Sequence, residues 1–193
     1  MLSPYDGIDL ALWEEVTRKL VRDHPLEVKE LVKIILDSWE DILCTDVGGY
    51  RIGKDILPKP QILGFFLHEL IPLKIISAYP DKWRLEKLSS DKDIVCLANN
   101  LYSVEIKTSS QKNVYGNRSY SKSGDSAKKS KSGYYLIINF EKFTDNKYKP
   151  SIRQIRFGWL DHEDWKGQKS ETGQQATVSP QILKLKMLDI YNS

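Results

Sequence analysis

Residues 91–110 read DKDIVCLANNLYSVEIKTSS, and the reading of this stretch decides the fold. Asp93 precedes an apolar run, Ile94 to Leu97, which is followed by the turn-forming pair Asn99 and Asn100 and then by a second strand-like segment, Leu101 to Thr108. Side chains alternate along a strand, so Glu105 and Lys107 share one face while Val104, Ile106 and Thr108 share the other. If the two segments pair as a hairpin, Asp93 at the start of the first comes close to Glu105 late in the second. Two carboxylates and an ammonium then surround one point.

Upstream of this hairpin the pattern is helical. Leu12, Val16 and Leu20 repeat at helical spacing behind Asp9, an N-cap residue type, with Trp13 and Val21 widening the stripe. A second helix is expected from Pro25 through Val28, Leu31, Val32, Ile35, Leu36, Trp39 and Leu43, ending in a loop at Gly48 and Gly49. After the proline-bearing connector DILPKPQ, Ile62 to Ile76 reads as a third, largely buried helix. From Trp83 the period shifts towards two. Trp83–Leu88, Asp93–Leu97, Leu101–Thr108, Tyr134–Phe140 and Ser151–Leu160 read as strands, interrupted by a long polar loop over 109–133. Ser179 and Pro180 form an N-cap and first-turn pair for a C-terminal helix carrying Ile182, Leu183, Leu185, Leu188 and Ile190. The plan is α+β, a mixed central β-sheet flanked by helices, in one domain over 1–193: a helical part to residue 80, a sheet part over 81–160, and a loop and C-terminal helix over 161–193.

Composition narrows the classes. The 193 residues are 40% hydrophobic and 28% charged, the proportions of a globular chain with a core to bury. No apolar run is read as reaching the roughly 20 residues of a membrane span, and the start lacks a signal-peptide pattern, so a cytoplasmic protein without a membrane partner is expected. Cys44 and Cys96 have no Cys or His at metal-ligand spacing and read as packing residues. The net charge of +3 is unevenly spread: Lys107 to Ser132 holds seven basic residues against one acid, Asp125.

The chemistry that needs two carboxylates and a lysine is phosphodiester hydrolysis. Asp93, Glu105 and the Ile106 carbonyl offer hard oxygens to Mg²⁺, which prefers to keep several waters and to share its shell with a substrate phosphate. Lys107 adds positive charge where the transition state becomes more negative. Taken alone, a same-face Glu and Lys on a solvated strand would contribute well under ~1 kcal/mol and mean nothing. The context carries the functional reading, because the strand runs into a segment rich in phosphate-contact residue types: Ser109, Ser110, Lys112, Asn117, Arg118, Ser119, Tyr120, Lys128, Lys129 and Lys131. A second candidate for contact with double-stranded DNA holds Trp165, Lys166, Gln168, Lys169, Gln174 and Gln175, side chains that can address base edges, with a plain surface loop as the equal alternative. Glu69 is a candidate extra ligand, although a polar helix edge explains it better. Glu14 and Glu15 read as solvated helix residues. His68 and His162 could serve as bases, but neither has a partner pattern around it and both read better as structural or contact residues. Asp91 lies one alternation before Asp93, which is preferred because it borders the apolar strand.

The runs DIVC, SVEIKTSS, YGNRSY and AKKSKSGYYLIINF resemble the PD-(D/E)xK restriction endonucleases. With WLDHEDW and TGQQA they are most similar to the ScaI-type family, over most of the chain. The resemblance implies a homodimeric, Mg²⁺-dependent enzyme cutting both strands of DNA at a short palindromic site, with Asp93, Glu105 and Lys107 as its acid, acid and lysine. Lys92 stands where the motif's name has proline. A structure-specific repair nuclease or junction resolvase would share the same catalytic face, and a non-catalytic DNA-binding protein would need only the basic loop. The Asn, Gln, Ser and Tyr content of the two loops favours sequence reading.

Overall fold

The structure, a computed structural model, describes residues 3–121, 130–145, 149–169 and 173–193. In chain order the elements are α1 (Trp13–Arg22), α2 (Val28–Leu43), β1 (Asp46–Val47), β2 (Tyr50–Arg51), α3 (Pro60–Ala78), β3 (Trp83–Leu85), β4 (Ile94–Cys96), β5 (Val104–Ser109), β6 (Tyr115–Asn117), β7 (Gly133–Phe140), β8 (Ile152–Leu160), β9 (Trp165–Gly167), β10 (Gln175–Val178), α4 (Pro180–Lys186) and β11 (Met187–Asn192).

A mixed six-stranded sheet, in the order β11-β8-β7-β5-β4-β3, forms the centre. All its pairings are antiparallel except β5 with β7. Every residue of β7 is buried, because the strand is covered on both faces. Tyr134, Leu136, Ile138 and Phe140 join the core built by α1, α2 and α3, whereas Tyr135 and Ile137 join a second core on the opposite face with Tyr120, Trp165, Val178 and Leu183. That second face is roofed by α4 and by a small antiparallel sheet, β6-β10-β9.

The helical expectations hold with corrections at the ends. Asp9 accepts from the Ala11 amide and caps a 3₁₀ turn, Leu10–Leu12, that feeds α1. The second helix begins at Val28 rather than Pro25, because His24 Nδ1 takes the Leu26 amide and holds the chain in a turn. Gly48 and Gly49 are not an open loop. With φ of 60° and 86° they make the two-residue turn of the β1–β2 hairpin, a geometry that glycine adopts without strain. α3 has 19 residues and a hydropathy of 1.3, so by length and composition it could cross a membrane, contrary to the expectation that no run comes near that length. Here Leu63, Leu67, Ile71 and Ile75 are fully buried against the sheet side. Cys96 is a packing residue as expected, but Cys44 is exposed at the end of α2.

Three larger corrections concern the second half. The first strand stops at Leu85, and a 3₁₀ turn at Asn100–Tyr102 delays β5 to Val104. The stretch over 109–133 contains β6 and a 3₁₀ turn, Arg118–Ser121, and the stretch after Leu160 contains β9 and β10. The C-terminal helix ends at Lys186. Its expected continuation through Leu188 and Ile190 is the edge strand β11, paired with β8. The apolar spacing there suits either structure, and the unpaired edge of β8 decides it, since buried backbone groups must find partners. Gly158 permits the approach: a Cβ there would collide with the Lys186 carbonyl.

Candidate active site

β4 and β5 meet at the pair Ile94 and Val104, and extending that register sets Asp93 opposite Glu105 on one face. Beyond that pair the strands part. Asp93 reaches into the gap, where its Oδ2 accepts the Ile106 amide at 2.6 Å. Backbone N–H and C=O of one strand residue point to the same side, so the Ile106 carbonyl opens into the same gap. Lys107 Nζ donates to Glu105 Oε1 at 2.7 Å. Of the three side chains, Glu105 is the most enclosed.

Asp91 is fully engaged elsewhere. Its carboxylate takes Arg84 at 2.7 Å together with the amides of Lys87 and Leu88, and the Arg84 bond, ahead of the amides, holds it well below the ordinary carboxylate range. It closes the turn after β3, which supports Asp93 as the acid of the site.

Three neighbours are not placed at the acids by the sequence reading. Tyr120 donates its hydroxyl to Glu105 Oε1 at 2.6 Å and packs its ring on Trp165 at 4.9 Å. The sequence suggests a DNA contact for it, whereas the structure buries it. Burial first, and then the charge of Glu105, push its hydroxyl far above the ordinary tyrosine range. Lys107 and Lys131 place their ammonium groups over the same ring, at 4.8 and 5.4 Å. His68, from α3, brings Nδ1 to 3.8 Å from Asp93 Oδ2. Its only sequence signal is Gly64, four residues earlier, where a Cβ would strike Thr108 of β5 and which therefore marks the side of α3 lying on the sheet. Lys92 is buried with its ammonium 5.0 Å from the Tyr135 ring centre. Glu69 is exposed on α3, and no hydrogen bond or ion pair among the described residues joins it to the two acids.

The two candidate recognition segments turn out to be one surface. Asn117 pairs with Gln175, and Lys166 with Thr177, in the small sheet. Asn117, Lys166, Gln168, Lys169, Gln174 and Gln175 are exposed, as are Lys112 and Ser119, while Ser110 is half-buried. Ser109 is buried, its Oγ accepting the Gln111 amide, and Lys131 donates to the Ser119 carbonyl. Lys128, Lys129 and the side chain of Arg118 lie outside the described residues.

The donor set matches a hard cation. Among the described residues no three His, Cys, Asp or Glu side chains gather in one place. Two carboxylates beside a backbone carbonyl suit an ion that keeps its own water.

A mixed sheet carrying two acids and a lysine at the mouth of two parting strands, roofed by a polar small sheet, defines a nucleic-acid-processing type of protein. The family is shown by comparison: the ScaI restriction endonuclease family matches residues 3–191, and the chain belongs to it. It is 46% identical over 193 residues to the type II restriction enzyme ScaI of Streptomyces caespitosus, covering 98% of this chain and 85% of that one. No solved structure matches. The protein is accordingly a type II restriction endonuclease, a site-specific enzyme acting on DNA.

Proposed function

We propose that this enzyme hydrolyses phosphodiester bonds in both strands of double-stranded DNA at a short palindromic site, with Mg²⁺ held by Asp93, Glu105 and the Ile106 carbonyl on a PD-(D/E)xK nuclease core. The observation that carries this reading is the register that sets Asp93 opposite Glu105 with Lys107 on the same face. When bound, Mg²⁺ lowers the pKa of a bound water and offsets charge on the phosphate. Lys107, which donates to Glu105 at 2.7 Å, would orient a nucleophilic water or donate to a phosphate oxygen. Tyr120 donates to the same Glu105 oxygen as Lys107 and so helps to fix the carboxylate. Asn117, Lys166, Gln168 and Gln175 supply donors and acceptors to base edges, and Lys112 supplies charge for the backbone.

A homodimer fits a palindrome, since one two-fold axis relates both sites and both strands. The outer side of α3 exposes Ile62, Phe65 and Leu73 around Glu69, a mainly apolar face suited to a second copy. The same reading places the protein in the cytoplasm with its DNA. Plasmid digestion with Mg²⁺ and with EDTA tests the proposal: discrete fragments are expected with Mg²⁺ alone, from the parent but not from Glu105→Gln. Equal cutting by that variant would overturn the metal assignment.

A further inference from the structure

One cleft lies away from the acids. It measures about 550 Å³ and is lined by Arg18 of α1, Lys112 of the segment after β5, Arg156 of β8 and Lys184 of α4, over an apolar floor that includes Leu183 and Met187. Arg156 stands in register with Ile137, which stands in register with Lys107. Alternation therefore puts Arg156 and Lys107 on the same sheet face, two strand spacings or about 10 Å apart.

Arg156 is 7% exposed. One of its terminal nitrogens, Nη2, donates to Asn139 at 2.7 Å and to the Lys112 carbonyl at 3.4 Å, while its Nε has no hydrogen-bond partner. A buried guanidinium with an unused donor costs stability unless something accepts from it. Around it, Arg18, Lys112 and Lys184 are exposed and form no ion pair among the described residues. The opposing acids of the cleft are Glu14 and Asp189, and Asp189 is held by Gln154 Nε2 at 2.8 Å. Cations are in excess, and the buried one is fixed by Asn139.

We infer that this cleft is a second phosphate-binding site, taking a phosphodiester of the DNA backbone on the same sheet face as the catalytic acids but two strands away. The reading rests on DNA as substrate. A guanidinium held at a fixed angle suits a phosphate better than a flexible amine would, and Arg18, Lys112 and Lys184 surround it with mobile charge. The cleft is much larger than a phosphate ion, and its apolar floor suits the deoxyribose attached to a backbone phosphate. Such a contact carries no base information. It fixes the register of the duplex against the small sheet.

The test uses the full-length protein and a labelled duplex of mixed sequence in EDTA, titrated across a KCl series, so neither cleavage nor metal enters the result. The double variant Arg18→Ala/Lys184→Ala removes two exposed charges from the cleft, and Lys29→Ala/Lys54→Ala removes two from elsewhere. The cleft variant is expected to bind about tenfold more weakly at low salt and to flatten the slope of log affinity against log salt by about 1, with the control close to the parent. Arg156→Gln, checked for folding by circular dichroism, is expected to act in the same direction. Equal slopes for cleft and control variants would overturn the inference. So would a rise in Tm with inorganic phosphate that Arg18→Ala/Lys184→Ala abolishes while the DNA slope stays unchanged, since that result would mean a free-anion site.

Discussion

The two faces of the central sheet are built from the same strands but to different ends. On the helix side, β5 contributes Val104 and Ile106, and β7 contributes Leu136 and Ile138, all fully buried against apolar helices. On the other side, one residue along each strand, β5 contributes Glu105 and Lys107, and β7 contributes Asn139 beside the buried Arg156 of β8. The first face is stabilised by burial of apolar area. The second adds to its own apolar core charges that need direct contact, and Tyr120, Lys107 and Asn139 supply part of it, leaving Arg156 Nε without a partner. A strand with period two lets one segment serve stability and chemistry at once, because a change on one face leaves the other face's contacts in place.

That separation can be broken most sharply at the acids. Asp93→Asn and Glu105→Gln are each expected to lower the cleavage rate by on the order of 10³-fold while thermal unfolding shows an intact fold. On the opposite face, Ile71→Ala in α3 is expected to cost about 2–5 kcal/mol of stability in urea unfolding and to leave cleavage per folded molecule unchanged. If Ile71→Ala cut more slowly at a temperature where it is fully folded, the two faces would be coupled and the comparison would fail.

A pH series sharpens the helix face further. His24 packs its ring against Tyr134 and Phe157, at 4.4 and 4.8 Å, and burial pulls it down to about 4 from an ordinary 6.5, against the Tyr102 carbonyl bond. The unfolded chain binds the proton between those two values and the folded chain does not. Stability is therefore full above about pH 6.5 and falls by about 3 kcal/mol as the pH drops towards 4. Denaturant midpoints across this window, compared with His24→Gln, measure the effect, and the variant is expected to flatten it. The smallest effect is expected at the link between the small sheet and Glu105. Tyr120→Phe removes the hydroxyl and is predicted to raise the Mg²⁺ concentration for half-maximal cleavage about tenfold, with little change in the maximal rate. A lowered maximal rate at unchanged Mg²⁺ dependence would instead make Tyr120 part of the chemistry.

The sequence itself determined a good part of this. Helical spacing marks Leu31, Ile35 and Trp39 as buried, as they are, although Val28, Val32, Leu36 and Leu43 of the same stripe are only half-buried and Ile42, outside it, is buried. The run from Tyr134 to Phe140 is buried throughout. The pattern D…ExK around Asn99 and Asn100 places Asp93, Glu105 and Lys107 on one face, because alternation is a local property of the strand. Partners distant along the chain were another matter. That β6 and β10 would join into one surface, that His68 and Tyr120 would close on Asp93 and Glu105, and that residues after Lys186 would become a strand rather than a helix all depended on what lay across the gap. Local periodicity sets which side of an element is apolar, but hydrogen-bond partners and polar neighbours are assigned only when the layers pack, and only the tertiary structure could decide them.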